Sequence, residues 1–253
     1  MLKELLQSMF SYIPALRYVL KLYKYLVFIL LLLLLFLFPI LLIDEGLQGI
    51  SKLIPYHSSQ KYASMSVQFI ANISGFFLLL ILSPVFSMAS EEVIHLLNGK
   101  TYKFSPTQLI KDVIRGVKIT IRNLFYEYLY ILIISIILYF LPENPVIKVL
   151  GFVANTLVVS YFYGFSLLDY ALENHRINYK KSVAFVRSHA GIAIGLGLMY
   201  YLMISINDIS YIKGFFGHFG IYWTAFGEAL VAFTGVIAGS IILNKKLSRQ
   251  QYI

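Results

Sequence analysis

The sequence predicts an all-α, polytopic helical membrane protein with about six membrane-immersed segments, and three observations carry this prediction. Hydrophobic residues make up 59% of the chain and charged residues only 13%, whereas a soluble domain would carry about 25% charged residues. The mean hydropathy is +0.76. The apolar residues are collected in uncharged runs of membrane length, so residues 1–253 are expected to form a single membrane domain.

The first element, residues 1–24, is expected to be an interfacial amphipathic helix. Its apolar residues recur at helical spacing, and they are Leu2, Leu5, Leu6, Met9, Phe10 and Ile13. Pro14 interrupts the pattern, and the cations that follow it share one helical face: Arg17, Lys21 and Lys24. The uncharged run 25–43 comes next, and as a helix it would extend about 28 Å, which is enough to cross a bilayer.

A proline divides the second uncharged run. Residues 62–83 are predicted to cross the membrane because they would form about 33 Å of helix. Pro84 then kinks or restarts the helix. The helix behind it places Glu91 and Glu92 on its polar side, and Gly99 is predicted to end it as a C-cap.

Residues 100–127 are predicted to form a basic amphipathic helix. One face carries a continuous stripe of cations: Lys111, Arg115, Lys118 and Arg122. The apolar segment after it, 128–141, would extend only about 21 Å as a helix before 149–168 returns the chain. Two interpretations are open at this point, a thin full crossing or a hairpin that enters and leaves on one face.

The last two predicted segments are 190–206 and 229–243, joined by an aromatic, glycine-rich connection that contains His218 and ends at Glu228. At the far interface Glu228 would be hydrated, whereas at depth it would cost roughly 2.5–3.5 kcal/mol unless it faced water or a cation. We expect the second case, with Glu228 lining a polar cavity between hairpins or protomers.

Charge predicts the orientation of the segments. Of the 21 Lys and Arg residues, 17 lie in 1–24, 91–127, 169–189 and 244–253, which alternate with poorly charged connectors. The positive-inside rule then places both termini in the cytoplasm. The net charge of +9 is attributed to loops that face anionic lipid, and no nucleic-acid partner is expected.

A polar connection separates two of the membrane segments between Asp169 and Arg187. Asp169, beside Tyr170, is expected to pair with Arg176 or Arg187 and so to order the loop around Asn174. Two motifs accompany it: Leu168-Asp-Tyr-x-x-x-Asn174-His-x-x-x-Tyr179 with Arg187 and Gly195/Gly197, and Ser83-Pro-x-Phe86 with Glu91-Glu92 and Leu97-x-Gly99. Together they resemble the CysZ-like group of bacterial sulfate-permease-like proteins, which are related to the etoposide-induced membrane protein of eukaryotes.

This resemblance implies half-penetrating hairpins and the passage of a small oxyanion, such as sulfate, through a bacterial inner membrane. Where the family places a Gly-hydrophobic-Arg step, this chain has Lys21-Leu-Tyr-Lys24. The rival hypothesis is a non-transporting membrane scaffold or regulatory protein that keeps the fold and has lost the anion site. The stretch from Lys21 to Lys24 is the feature that divides the two hypotheses.

The candidate anion-binding residues are Arg17, Lys21, Lys24, Lys111, Arg115, Lys118 and Arg122. The alternative for the N-terminal cations is an anchor for lipid headgroups, and for the stripe it is a solvated or lipid-facing helix side. Catalytic motifs are missing from the sequence, and no cysteine is present to act as nucleophile or metal ligand. We therefore expect no enzyme, cofactor or metal. A homo-oligomer is expected, and two glycine pairs, Gly191/Gly195 and Gly235/Gly239, permit tight hairpin or oligomer contacts.

Overall fold

The computed structural model describes residues 1–33, 82–99, 106–142, 144–207 and 220–250. These ranges form helices and contain no strand, which confirms the all-α class. The helices are α1 (Leu2–Phe10), α2 (Tyr12–Lys21), α3 (Tyr23–Leu33), α4 (82–98), α5 (Pro106–Tyr139), α6 (Pro145–Asn174), α7 (Tyr179–Ser188), α8 (Ala190–Asn207) and α9 (Gly220–Gln250). Most of the predicted segments 25–43 and 62–83 lies outside the described residues, as does His218.

Three of the described helices are long and apolar enough to cross a membrane: Ile114–Tyr139, Pro145–Asn174 and Phe226–Ser248. A fourth candidate is the pair formed by α7 and α8, which is bent by 86° and is either a broken span or a re-entrant loop. The described part of the chain is thus an all-α membrane protein with three or four candidate spans.

The basic amphipathic helix and the short apolar segment behind it are joined in the structure. Their parts between Pro106 and Tyr139 form α5, which runs without a break for 34 residues, about 51 Å, whereas 100–105 lie outside the described residues. The helix continues because charged side chains do not interrupt its backbone hydrogen bonds, and no proline occurs within it after Pro106. The candidate span Ile114–Tyr139 has 26 residues, so the helix that contains the short apolar segment is long enough to cross a membrane.

A tight turn joins α5 to α6. Asn144 caps α6, because its side-chain oxygen accepts a hydrogen bond from the Val146 N–H at 2.9 Å, and Pro145 occupies the first helical position. A side chain at Gly151 would collide with Leu138, so the two arms approach closely just beyond this turn.

Close backbone contacts hold α6 against α8. A Cβ atom at Gly164 would overlap the carbonyl group of Ala193, and one at Gly197 would overlap the carbonyl group of Ser160. Leu168 lies in the hydrophobic core that these two helices share with α9, where its side chain is fully buried.

The glycine pair of α8 faces the N-terminal helix. A Cβ at Gly191 would lie 2.6 Å from the Met1 carbonyl oxygen, and one at Gly195 would overlap the Ser8 hydroxyl. Farther along, the Tyr12 hydroxyl donates to the Leu196 carbonyl oxygen at 3.0 Å. This glycine pair thus serves a contact within the chain.

The apolar stripe predicted for the N-terminal helix faces away from the protein. Leu2, Leu6, Phe10 and Ile13 are exposed, whereas the side that packs against α8 and α9 carries small and polar residues such as Ser8. An outward apolar stripe is what a helix in contact with lipid requires.

Candidate functional site

A basic cleft lies between α5 and the connection from α6 to α7, with a volume of about 560 Å³. Its lining residues are Lys111, Ile114, Arg115, Lys118, Glu173, Arg176, Ile177, Asn178 and Tyr179. Four of them are cations and one is a carboxylate. Three of the four residues of the predicted stripe therefore meet in one cleft, together with Arg176, which the sequence had suggested only as a partner for Asp169.

Arg115 ties the cleft to the helices around it. One terminal nitrogen of its guanidinium donates to the Asp169 carboxylate at 2.7 Å, and the other donates to the Ile177 carbonyl oxygen. The Ser182 hydroxyl donates to the same carboxylate oxygen at 2.7 Å, so α5, α6 and α7 meet at one buried carboxylate. This partner differs from the predicted ones, because Asp169 lies more than a turn before the end of α6 and faces α5 rather than the loop.

One donor of Arg115 has no acceptor in the part of the chain that the structure describes. Within the described ranges, its Nε atom is buried and has no hydrogen-bond acceptor. A buried donor of a charged group without an acceptor is costly.

The floor of the cleft is formed where α6 ends. Arg176 has a φ of 56°, a left-handed conformation that a residue with a side chain rarely adopts. It lets the chain reverse, and the Ile177 N–H then donates to the Leu172 carbonyl oxygen at 3.0 Å. Asn178 follows as the N-cap of α7, accepting from the Lys180 N–H at 3.0 Å. The positive end of the α7 dipole thus adds to the charge of the cleft.

Arg122, the last residue of the stripe, does not line the basic cleft. Its guanidinium lies 5.2 Å from the centre of the Tyr126 ring and 5.3 Å from that of Phe165, and it donates to the Asn123 side-chain oxygen. It packs between α5 and α6 on aromatic surface.

The N-terminal cations also lie outside the basic cleft. Lys24 forms an ion pair with Glu92 at 2.8 Å, and the Tyr25 hydroxyl donates to the same carboxylate at 2.6 Å. Burial raises the pKa of Glu92, but the hydrogen bonds from Lys24 and Tyr25 outweigh it and hold that pKa below its ordinary value. Lys21 lies over the Tyr18 ring at 5.5 Å, and Arg17 is exposed.

Two of the loop-ordering candidates fasten α6 to α4. The Tyr170 ring packs edge-on against Phe86 with 5.7 Å between the ring centres. The Asn174 amide donates to the Ser87 carbonyl oxygen at 3.0 Å. Arg187, by contrast, is exposed on α7. The two motifs that carried the family resemblance therefore meet in space across the α4–α6 contact.

A small inner chamber of about 30 Å³ lies behind the basic cleft and shares Glu173 with it. Its polar lining residues are Ser83, Ser87, Thr120, Ser166, Asp169, Tyr170 and Glu173. The volume suits one or two waters. Sequence reasoning missed this chamber, and the only available signal was the spacing of Ser83 and Ser87, which places two hydroxyls on one face of α4.

Glu228 lies within electrostatic range of two tyrosines that pack against each other. The Tyr163 and Tyr200 rings are 5.0 Å apart at their centres, and both side chains interact electrostatically with Glu228. Tyr163 also interacts with Glu127, which lies midway along the span Ile114–Tyr139.

The comparison with known families agrees with the family resemblance that the two sequence motifs suggested. The family described as sulfate transporter CysZ/etoposide-induced protein 2.4 matches residues 2–207, a range that includes the whole basic cleft and excludes α9. No curated protein matches the chain. Because the match covers well over half of the sequence, the chain belongs to the sulfate transporter CysZ/etoposide-induced protein 2.4 family.

Proposed function

We propose that this protein carries a small oxyanion, such as sulfate, across the membrane as a transporter or channel, and that it is not an enzyme. The observation that carries the proposal is the basic cleft, in which three stripe cations and Arg176 surround one space of about 560 Å³. Membership of a family described as sulfate transporters supports the same class of cargo.

The chemistry of the cleft suits a dianion. Lys111 and Lys118 are exposed and supply mobile point charges at its rim. Arg115 also lines the cleft, and the Asp169 carboxylate holds its guanidinium in place. Because the Asp169 carboxylate partly neutralises the Arg115 guanidinium, Lys111 and Lys118 are expected to contribute most of the attraction that concentrates an anion in the cleft.

The N-terminal cluster of Arg17, Lys21 and Lys24 is the weaker of the two candidate anion sites. Glu92 neutralises Lys24, and a carboxylate at this position repels an oxyanion. We assign Arg17, Lys21 and Lys24 to the alternative role, contact with lipid headgroups at the membrane surface.

We propose that the cleft lies at the cytoplasmic face of a bacterial inner membrane, with both termini on the same side and a homo-oligomer as the working unit. The ion pair between Arg115 and Asp169 supports one part of this placement, because it joins the two basic regions 91–127 and 169–189. Reporter domains fused after Gly99 and after Asn178 are expected to give signals from the cytoplasmic side in both cases. Signals from opposite sides would exclude the topology.

Flux of labelled sulfate into liposomes that contain the purified protein tests the function. We expect uptake above that of protein-free liposomes. The double substitution Lys111→Gln/Lys118→Gln should reduce sulfate affinity about tenfold, equivalent to about 1.4 kcal/mol, and make it less sensitive to ionic strength.

The matched control is Lys180→Gln/Lys181→Gln, which removes two exposed charges on α7 outside the cleft and should leave flux unchanged. An equal loss in both double variants would show that net charge, not the cleft, governs uptake. A folded wild-type protein without sulfate flux would favour the non-transporting scaffold.

A further inference from the structure

A third cavity, of about 540 Å³, lies between α1 and the C-terminal half of α9, and we call it the α1–α9 groove. Its walls are mainly apolar and include Leu6, Phe10 and Ile241. It is separate from the basic cleft, with which it shares no lining residue.

The wall contributed by α1 is open to the surroundings of the protein. Leu2 is 69% exposed, Leu6 43% and Phe10 62%. These side chains belong to the outward stripe of an amphipathic helix, which in a membrane protein contacts acyl chains. The groove is therefore accessible from the lipid phase.

Two lysines give the groove a charge. Lys3 and Lys245 are both exposed and both line it. The neighbouring carboxylate, Glu4, is already bound by Lys246 at 2.7 Å. Burial raises the pKa of Glu4, but the hydrogen bond and charge of Lys246 outweigh it and lower that pKa overall, so Glu4 stays ionised and paired. His189 lies 4.0 Å from Glu4 and adds no negative charge.

We propose that the α1–α9 groove binds one anionic phospholipid. The headgroup phosphate accepts hydrogen bonds from Lys3 and Lys245, and an acyl chain lies along Leu6, Phe10 and Ile241. The apolar walls of the α1–α9 groove suit the acyl chains of such a lipid, and its two lysines suit the anionic headgroup. Each lysine near a membrane surface favours anionic lipid. This site does not depend on the proposed passage of an oxyanion.

Native mass spectrometry of the full-length, delipidated protein tests the proposal. After incubation with an equimolar mixture of phosphatidylglycerol and phosphatidylcholine, the wild-type protein should retain one phosphatidylglycerol in preference to phosphatidylcholine. In Lys3→Gln/Lys245→Gln this preference should fall about tenfold, because both headgroup contacts are lost. In Leu6→Gln/Phe10→Gln the retention of both lipids should fall, because the acyl-chain contact is weakened.

Lys180→Gln/Lys181→Gln is the matched control and should retain the wild-type preference, since it removes the same charge from an exposed part of α7. Inorganic phosphate at the lipid concentration should not displace the bound phosphatidylglycerol. The proposal is overturned if the wild type shows no preference for the anionic lipid, if the control loses it equally, or if inorganic phosphate alone displaces the lipid.

Discussion

Replacing Asp169 by alanine should destabilise the protein by about 3–5 kcal/mol, because it leaves a charged guanidinium in the interior without its counter-charge. The side chains of Arg115 and Asp169 are only 15% and 6% exposed, so the guanidinium would stay largely buried without its counter-charge. Ser182 loses its acceptor at the same time. Chemical unfolding of the detergent-solubilised variant, followed by circular dichroism, measures the loss.

Two further variants separate the effect of an unpaired charge from the effect of its burial on stability. Arg115→Met/Asp169→Leu removes both charges and should recover most of the stability, since a buried pair can be replaced by apolar residues at little cost. Glu92→Gln breaks the more exposed pair with Lys24, whose side chains are 58% and 30% exposed, and should cost no more than about 1 kcal/mol. A loss at Asp169→Ala as small as that at Glu92→Gln would contradict the assignment.

The helical segments of the fold were predictable because their signal lies within the segment itself. Uncharged runs such as 149–168 and 190–206 reappear inside α6 and α8, and the C-cap at Gly99 is confirmed by its φ of 68°. Such features depend on local composition and on the conformational freedom of glycine. The family assignment was confirmed as well, although the match ends at residue 207.

The partner of Asp169 was not predictable from the sequence. Periodicity places the carboxylate on a face of α6, but the rotation of α5 against α6 decides which cation it meets. The nearest arginines along the chain were preferred, and the structure instead supplies Arg115, 54 residues away in sequence. For the same reason Arg122 turns to the rings of Tyr126 and Phe165, although its spacing continues the stripe.

A change from charged to apolar residues does not by itself end a helix. The predicted basic helix 100–127 is continuous with the apolar segment behind it, because α5 runs through Glu127 to Tyr139. The left-handed residue that ends α6 also gave no warning, because Arg176 carries none of the glycine or asparagine signals of such a position. The floor of the cleft depends on the chain reversal at Arg176, so it could not be predicted from the sequence pattern.

Replacing Gly197 by alanine should destabilise the protein by about 3 kcal/mol, at the upper end of the usual range for overpacking. The added Cβ would overlap the carbonyl group of Ser160 and would lie 2.8 Å from the backbone nitrogen of Gly164. Both belong to the backbone of α6, which cannot yield without separating α6 from α8. The gain of roughly 0.5–1 kcal/mol that alanine brings to a helix interior is too small to compensate.

Gly116→Ala is the matched control, because Gly116 also lies within a helix but a Cβ there meets nothing within 4 Å. It should stabilise the protein by roughly 0.5–1 kcal/mol, since only the helix propensity changes. Thermal unfolding of both variants in one detergent compares the two effects directly. Equal shifts in the same direction would show that the α6–α8 contact is looser than the structure indicates, whereas opposite signs support a backbone contact that only glycine permits.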